Sequence, residues 1–335
     1  MLKDRFGRIH DYLRISLIET CNLRCTYCMP DELQPGLFSH SQRMSAEEIE
    51  TLAKIFIELG VKKIRLTGGE PLVRKDAKEI IQRLSKYTSA EKDSRAVNLA
   101  ITTNGIFVHD FIDDFKKANI RSVNVSLDTL MPERFEAITK RNLFHQVVSN
   151  IHLLLQNNFH VKVNVVVMKG VNDDELIDFV QWTRDNPLHI RFIEFMPFDG
   201  NRWKKEKVFS YKEMLDRIGS HYEVTPLENE KHDTAKKYKV LGFEGTFAII
   251  STMSEPFCGD CNRLRLTADG KMKNCLFSKE ESDLLSHLRN GSDVKQLIID
   301  CLQLKHASLG GQFTPADLPS ETHRVENRSM IAIGG

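Results

Sequence analysis

The chain lacks an excess of charge of either sign. Its 335 residues include 47 Lys and Arg against 46 Asp and Glu, which gives a formal net charge of +1. Proteins that bind nucleic acid or acidic membranes by general electrostatic attraction carry a clear basic excess. The balance therefore argues against a nucleic-acid partner and against a membrane partner.

The chain also lacks a long apolar segment. No run of about 18 apolar residues occurs, so no membrane-spanning helix is expected. The first residues, Met1 to Arg5, are not followed by the apolar region of a secretory signal. We therefore expect a cytoplasmic protein.

A hydrophobic content of 41% is sufficient for a large core, in one domain or in one domain with an appended region.

Cysteine is absent from the long middle of the chain, between residues 28 and 258. In a cytosolic protein, grouped cysteines are more often metal ligands or reactive thiols than disulfides. The distribution predicts two separate cysteine sites, with Cys301 as an ordinary buried thiol. The two groups are Cys21, Cys25 and Cys28, and Cys258, Cys261 and Cys275.

The first group has the spacing C-x3-C-x2-C and follows a strand-like segment. Three thiolates can hold three irons of a cubane iron–sulfur cluster, and the fourth iron is then free to bind a small molecule. The alternative is a structural zinc site, which would need a fourth ligand such as His10 or His40. The triad favours cluster chemistry over a purely structural role.

The second group has the spacing C-x2-C-x13-C, and again only three cysteines are close in sequence. Zinc is a serious alternative here, with Cys301 as a possible fourth ligand, but three local cysteines also permit a second cluster with an open iron. Arg263 and Arg265 alternate on one face of a strand beside this group, and two guanidinium groups on one face suit a phosphate. The alternative for this pair is a solvated surface.

Strand-like and helical patterns alternate over the first two thirds of the chain, which predicts a parallel sheet covered by helices. In such folds the working site lies at the carboxyl ends of the strands. Unusual motifs follow five of the six strands, so we expect them to lie together at the carboxyl-terminal opening of the sheet or barrel. The predicted strands are 13–17, 63–67, 97–101, 122–127, 161–167 and 190–195. The motifs are the first cysteine group, Gly68-Gly69-Glu70-Pro71, Thr102-Thr103-Asn104-Gly105, Ser126-Leu127-Asp128 and Met196-Pro197.

The pattern changes beyond about residue 198. Strands over 246–251 and 263–267 flank the second cysteine group, helices are predicted over 283–289 and 294–302, and the tail from about residue 314 is rich in Pro, Ser and charge. We predict two regions, 1–200 as a barrel-like α/β domain and 201–335 as a cluster-binding and substrate-binding region. The latter is expected to end in a flexible Gly334-Gly335 tail.

The run Cys-Asn-Leu-Arg-Cys-Thr-Tyr-Cys-Met-Pro resembles the hallmark of the radical S-adenosylmethionine superfamily. With the second cysteine group, Ile-Arg-Leu-Thr-Gly-Gly-Glu-Pro-Leu, Arg-Phe-Ile-Glu-Phe-Met-Pro and the terminal Gly-Gly, the whole chain resembles the GTP 3′,8-cyclase family of molybdenum cofactor biosynthesis. The resemblance implies an incomplete (β/α)6 partial TIM barrel. It also implies a C-terminal α+β extension that carries a second cluster.

The resemblance further implies two [4Fe–4S] clusters and S-adenosylmethionine as cofactors. A 5′-deoxyadenosyl radical would abstract the ribose 3′ hydrogen of GTP, and the product would be (8S)-3′,8-cyclo-7,8-dihydroguanosine 5′-triphosphate, the first intermediate of molybdopterin biosynthesis. The implied partners are a reductant, the next pathway enzyme and a second copy of the chain in a homodimer. The six grouped cysteines would be the metal ligands, Tyr27, Gly69, Ser126 and Met196 would bind the cofactor, and Arg14, Arg65, Thr102, Lys162, Arg263 and Arg265 would bind GTP.

The charges agree with a triphosphate, which carries roughly four negative charges and needs several cations when it is bound away from water. Arg65 and Lys162 lie in strands that otherwise look buried, where a cation is costly unless it is paired. Two alternatives stay open. One is a radical enzyme that acts on a peptide or another nucleotide, and the other is a zinc- or cluster-bearing nucleic-acid binder.

Overall fold

A single twisted sheet organises the chain. The computed structural model describes residues 1–28, 40–88, 96–318 and 325–334, and within these ranges twelve strands follow the order β12-β11-β10-β1-β2-β3-β4-β5-β6-β9-β8-β7. The strands are β1 Tyr12–Ser16, β2 Lys63–Thr67, β3 Asn98–Thr103, β4 Ser122–Ser126, β5 His160–Val167, β6 His189–Glu194, β7 Val224–Pro226, β8 Lys236–Val240, β9 Thr246–Ile250, β10 Arg263–Leu266, β11 Lys271–Lys273 and β12 Ser282–Asp283.

The helices of the described residues connect these strands or follow them. They are α1 Ala46–Glu58, α2 Ala77–Ser85, α3 Ile112–Lys117, α4 Pro132–Thr139, α5 Phe144–Gln156, α6 Leu176–Trp182, α7 Tyr211–Gly219, α8 Leu284–Arg289, α9 Val294–Gln303 and α10 Met330–Ile333. None of them is both long enough and apolar enough to cross a membrane.

Strands β1 to β6 are parallel neighbours in chain order, which confirms the predicted partial barrel. Their side chains alternate between two environments. In β5, Val161, Val163, Val165 and Val167 are buried on the face that the helices cover, whereas Lys162 and Asn164 point to the barrel interior and are only partly buried. The β-branched run thus packs outward, and the polar residues between its members form the wall of the site.

The C-terminal region extends the barrel on both sides. Strand β10 pairs in parallel with β1, and β9 pairs in parallel with β6, so eight parallel strands lie side by side. The sequence predicted β9 and β10 as strands but not their place in the barrel. The predicted boundary near residue 200 stays a prediction, and the sheet is continuous across it.

Local sequence signals explain the ends of several elements. The run Ser45-Ala46-Glu47-Glu48 predicts a capping box at the start of α1, and both of its reciprocal hydrogen bonds are present. Helix α4 begins at Pro132, a residue that favours the first turn of a helix. The sequence pattern predicts helices over 109–118 and 174–184, and both of these predictions were too long. Each begins with a 3-10 turn, Val108–Asp110 and Asp173–Glu175, before the α-helix.

Other parts of the sequence prediction were incomplete. Strands β7, β8, β11 and β12 and helix α10 were not predicted. The polar stretch from Thr88 to Arg95 predicts a loop, but only its first residue belongs to the described residues. Met29, Pro30 and Gly335 also lie outside the described residues.

Candidate active site

A cavity opens at the carboxyl ends of the parallel strands, and both cysteine groups line it. The four residues predicted to bind the cofactor, Tyr27, Gly69, Ser126 and Met196, line the same cavity. So do Arg14, Thr102, Arg263 and Arg265 of the predicted substrate set, whereas Arg65 and Lys162, within β2 and β5, lie outside the lining. The strand-end motifs therefore meet in one place.

The Gly68-Gly69 turn packs directly against the segment that leads from β1 to the first cysteine. Gly69 donates its backbone N–H to the Ile18 carbonyl at 2.7 Å, and Glu70 donates to the Thr20 carbonyl at 2.9 Å. A Cβ at residue 69 would lie 2.4 Å from the Thr20 carbonyl oxygen, so only glycine fits this approach. The turn thereby fixes the backbone just before Cys21.

Glu70 joins this turn to the end of β3. Its buried carboxylate accepts hydrogen bonds from the Thr103 hydroxyl at 2.8 Å and from the Asn104 backbone N–H at 2.6 Å. The Asn104 side chain in turn donates to Asn22 at 2.7 Å and lies 3.7 Å from the Cys21 sulfur. Burial raises the pKa of Glu70 to about 7. The ends of β2 and β3 are thus tied to the first cysteine triad.

The thiols of the first triad share a partly buried corner of the cavity. Burial raises the pKa of Cys21 to about 11, and Glu70 contributes. Burial and the neighbouring Cys28 raise the pKa of Cys25 well above its usual range, and burial and Cys21 raise that of Cys28. Three crowded thiols in this environment resist carrying negative charge alone. A cationic iron–sulfur core relieves that cost, because iron replaces the protons.

The second triad is built on short irregular segments around β10. Cys258 begins a 3-10 turn, Cys258–Asp260, Cys261 caps it, and Cys275 follows β11. Burial would raise the pKa of the Cys261 thiol, but Arg263 and Lys305 lower it to about 7. Among the described residues, no three His, Cys, Asp or Glu side chains are close enough to hold a single metal ion. The donor set of each triad, three thiols on a cavity wall, fits a cluster with one open iron.

The cofactor positions predicted from the resemblance line the same cavity as the two triads. The Tyr27 hydroxyl donates to Asp128 at 2.6 Å, and Asp128 also accepts from the Val166 backbone N–H at 2.8 Å. Burial raises the pKa of Asp128 to about 6. Ser126 and Met196 are partly buried, and the Met196 carbonyl is held by Asn201 at 2.8 Å.

A cluster of cations occupies the barrel interior below the cysteines. Within the part of the chain that the structure describes, none of its members forms an ion pair with a carboxylate. Burial, together with like charges nearby, lowers the pKa of Lys162 to about 8 and that of Arg191 to about 9. Burial is also the largest cause that lowers the pKa of Arg14, Lys63 and Arg265. The members of this cationic cluster are Arg14, Lys63, Arg65, Lys162, Arg191, Arg263 and Arg265.

The hydrogen bonds of these cations go to hydroxyl, carbonyl and amide groups. Arg65 donates to the Tyr12 hydroxyl at 2.6 Å and to the Ile101 carbonyl at 2.8 Å, and Arg191 donates to the Asn164 side chain at 2.9 and 2.5 Å. The Arg14 Nε is buried without a hydrogen-bond partner. Buried cations without counter-ions are costly, so the interior is prepared for an anion.

Sequence reasoning missed Lys63, Arg191, Tyr12 and Asn164. Tyr12 lies at the centre of the cluster, where burial would raise its pKa but Arg65, Arg14 and Lys63 lower it well below the usual range. The strand sequences contain a pattern that could have identified these residues. Each of these residues is an inward-facing polar position in a strand that otherwise looks buried.

The C-terminal segment enters the cavity. Met330 and Ile331 line it, and Arg265 donates to the Gly334 carbonyl at 2.7 Å. A Cβ at Gly334 would lie 2.7 Å from the Ser16 Cβ and 2.8 Å from the Thr67 hydroxyl, and its φ is +84°. The tail was expected to be flexible, but its last described residue is packed between the ends of β1 and β2. A side chain at this position would not fit.

Two family models match the chain. The Radical SAM superfamily matches residues 15–183, and Molybdenum Cofactor Synthesis C matches residues 188–310. The structure of Streptococcus suis SuiB bound to S-adenosylmethionine has a TM-score of 0.63 at 12% identity, over 92% of this chain and 69% of SuiB. At that identity the likeness concerns the fold alone.

The relatives in sequence cover almost all of the chain. Molybdenum cofactor biosynthesis protein 1 of Bos taurus is 46% identical over 99% of this chain and 51% of its own length, so the chain spans about half of that relative. The mitochondrial GTP 3′,8-cyclase of Arabidopsis thaliana is 44% identical over all of this chain and 84% of its own length. The GTP 3′,8-cyclase of Thermodesulfovibrio yellowstonii is 41% identical over the full length of both. The chain therefore belongs to the radical SAM superfamily and, within it, to the family of the GTP 3′,8-cyclases of molybdenum cofactor biosynthesis.

Proposed function

We propose that the chain converts GTP to (8S)-3′,8-cyclo-7,8-dihydroguanosine 5′-triphosphate. The observation that carries this proposal is the cationic cluster of seven residues, four of which line the cavity whose walls hold the two cysteine triads. These four are Arg14, Arg191, Arg263 and Arg265. A triphosphate supplies the missing negative charge, and charge-assisted hydrogen bonds to guanidinium groups are among the strongest in proteins. The names of the relatives agree with this substrate.

The radical SAM family uses a [4Fe–4S] cluster and S-adenosylmethionine, and the first triad would hold that cluster. When bound, the pair supplies a carbon-centred radical that abstracts hydrogen, which is chemistry that the protein itself cannot provide. The chain's part is to bind and to orient. Gly69, Ser126, Met196 and Tyr27 would hold the cofactor between the two triads, and Asp128 fixes the Tyr27 hydroxyl.

The second triad would hold the second cluster and the guanine end of the substrate, while the cationic cluster would hold the phosphates. Arg263 and Arg265 belong to the cationic cluster and also lie close in sequence to Cys261 of the second triad, because both are on β10, and both line the cavity. The ribose would then lie between the two triads, with its 3′ carbon toward the first. Phe198 and Phe277, stacked at 5.9 Å between ring centroids, help to close the wall against water.

Two measurements test the proposal together. Anaerobic iron and sulfide analysis should give about eight irons per chain, as two cubanes require. Reduced protein with S-adenosylmethionine should release 5′-deoxyadenosine only when GTP is present. Cleavage that is stimulated by a peptide or by another nucleotide but not by GTP would replace the cyclase with a different radical enzyme. Stoichiometric zinc in natively loaded protein would favour the binding-protein alternative.

The finer parts of the assignment rest on the resemblance. They include the reductant, transfer of the product to the next pathway enzyme, a homodimer and a cytoplasmic location. The name of the Arabidopsis relative places that protein in mitochondria. Fractionation and size measurements on the native protein address these points.

A further inference from the structure

The N-terminal segment, residues 2–10, contacts the backbone of the second cysteine triad through Arg8. Arg8 donates to the Cys258 carbonyl at 2.8 Å, to the Ala307 carbonyl at 2.8 Å and to the His306 carbonyl at 2.9 Å. Its Nε also pairs with Asp4 at 2.6 Å. One guanidinium group, with its side chain 8% exposed, therefore joins the N-terminal segment to two segments that lie 250 and 298 residues further along the chain.

The Arg8 side chain is itself fixed by a buried carboxylate. Asp4 accepts from the backbone N–H groups of Phe6 and Arg8, at 2.9 and 3.0 Å, and from His10 at 3.0 Å. Burial would raise the pKa of Asp4, but the hydrogen bonds from His10 and Arg8 lower it to about 2. The guanidinium group is therefore held in one orientation before any cluster binds.

Lys305 provides the second support. It is 2% exposed, and its Nζ donates to the Asn274 carbonyl, one residue before Cys275. Within the described residues it forms no ion pair with a carboxylate. Because Asn274 directly precedes Cys275, this contact brings the buried ammonium group close to the second triad. A buried lysine without a carboxylate is costly unless negative charge lies near it.

We propose that Arg8 and Lys305 are positioning residues of the second triad. They fix the backbone at Cys258 and beside Cys275, and their charges offset the negative charge of a cluster bound by three thiolates. The inference rests on the proposed function only in that a second cluster is present. No step of the reaction is assigned to either residue.

The test compares Arg8→Gln and Lys305→Met with Arg74→Gln after anaerobic reconstitution. Arg74 is a matched control, because like Arg8 it is buried, pairs with an aspartate and donates to backbone carbonyls. Its side chain is 9% exposed, and it pairs with Asp76 at 2.6 Å. Its two carbonyl partners, Leu17 at 2.6 Å and Met44 at 2.8 Å, do not belong to the second triad. We expect iron to fall from about eight toward about four per chain in the first two variants and to stay near eight in the control. The spectroscopic signature of the N-terminal cluster should persist.

Reduction potential separates positioning from general stability. In Lys305→Met molecules that keep the second cluster, loss of a nearby positive charge should make its potential more negative, whereas Lys305→Arg should restore the wild-type value. Arg8→Lys is the milder variant if Arg8→Gln does not fold, and it should also lose iron selectively from the second site. Variants that keep about eight irons and an unchanged potential would overturn the inference alone. If the wild-type protein itself held only about four irons, the chain would have no second cluster, and the proposed function would be wrong as well.

Discussion

Replacement of Arg191 by methionine should affect the empty protein and its ligand complex in opposite directions. Among the described residues, the guanidinium group donates hydrogen bonds to the Asn164 side chain, and Arg65 and Arg14 are like charges near it. Its pKa falls from 12.5 to about 9 because of burial and these like charges. That difference corresponds to about 5 kcal/mol against the charged form at neutral pH, which is an upper limit because water reaches the cavity.

Arg191→Met should therefore raise the free energy of unfolding of the ligand-free protein by about 1 to 3 kcal/mol. The same change removes charge-assisted hydrogen bonds to the phosphates, each of which contributes about 1.5 to 3 kcal/mol. GTP should then bind about 10- to 150-fold more weakly. A residue that only supports the fold would not produce this combination.

The assay pairs chemical denaturation with calorimetric titration of GTP under anaerobic conditions. Arg121→Met is the matched control, because Arg121 also bonds to an asparagine side chain, Asn119 at 2.8 Å, but is exposed. The control should change neither quantity by more than a few tenths of a kcal/mol. If Arg191→Met lowers stability and leaves GTP affinity unchanged, the cationic cluster is a structural network rather than a triphosphate site.

Three further changes test the cofactor and substrate sites. Cys25→Ala should abolish cleavage of S-adenosylmethionine and leave about four irons per chain, measured by iron analysis; retention of eight would remove Cys25 from the ligand set. Arg265→Ala should weaken GTP binding at least tenfold while the N-terminal cluster keeps its spectrum, and unchanged affinity would exclude Arg265 from the site. The pKa of Glu70 is about 7 in the folded protein, compared with its ordinary value of 4.5. Between these two pH values the folded chain binds a proton that the unfolded chain has lost. The free energy of unfolding of the wild-type protein should therefore decline by about 3 kcal/mol as the pH rises from about 4.5 to 7. Glu70→Gln should flatten that profile in denaturation curves, and an unaltered slope would contradict the raised pKa.

The parts of the fold that follow local patterns were predictable from the sequence. The β-branched run of β5, the capping box at Ser45 and the proline that begins α4 each signal their element without tertiary help. The pairing of β10 with β1 has no such signal, because a strand pattern does not name its partner. The parallel register of Arg14 with both Arg65 and Arg265 became visible only in the sheet.

The residues of the candidate site also fall into those that the sequence predicts and those that only the structure identifies. The cysteines and glycine turns stand out because their residue types and spacing are unusual. Arg191 and Lys63 are ordinary residues within strands, and they become notable only because burial leaves them without carboxylate partners among the described residues. Arg8 was overlooked for another reason. It lies far in sequence from the Cys258 carbonyl that it holds.

The place of β10 beside β1 has a consequence for how the chain folds. Tyr12 pairs with Arg263, so roughly 250 residues must be synthesised before β1 gains its second neighbour. Until then β1, which leads directly to the first cysteine triad, is an edge strand with unpaired backbone groups. Assembly of the segment that carries the first triad is thus coupled to the arrival of the C-terminal region, and a chain truncated before residue 263 would present an open strand edge prone to aggregation.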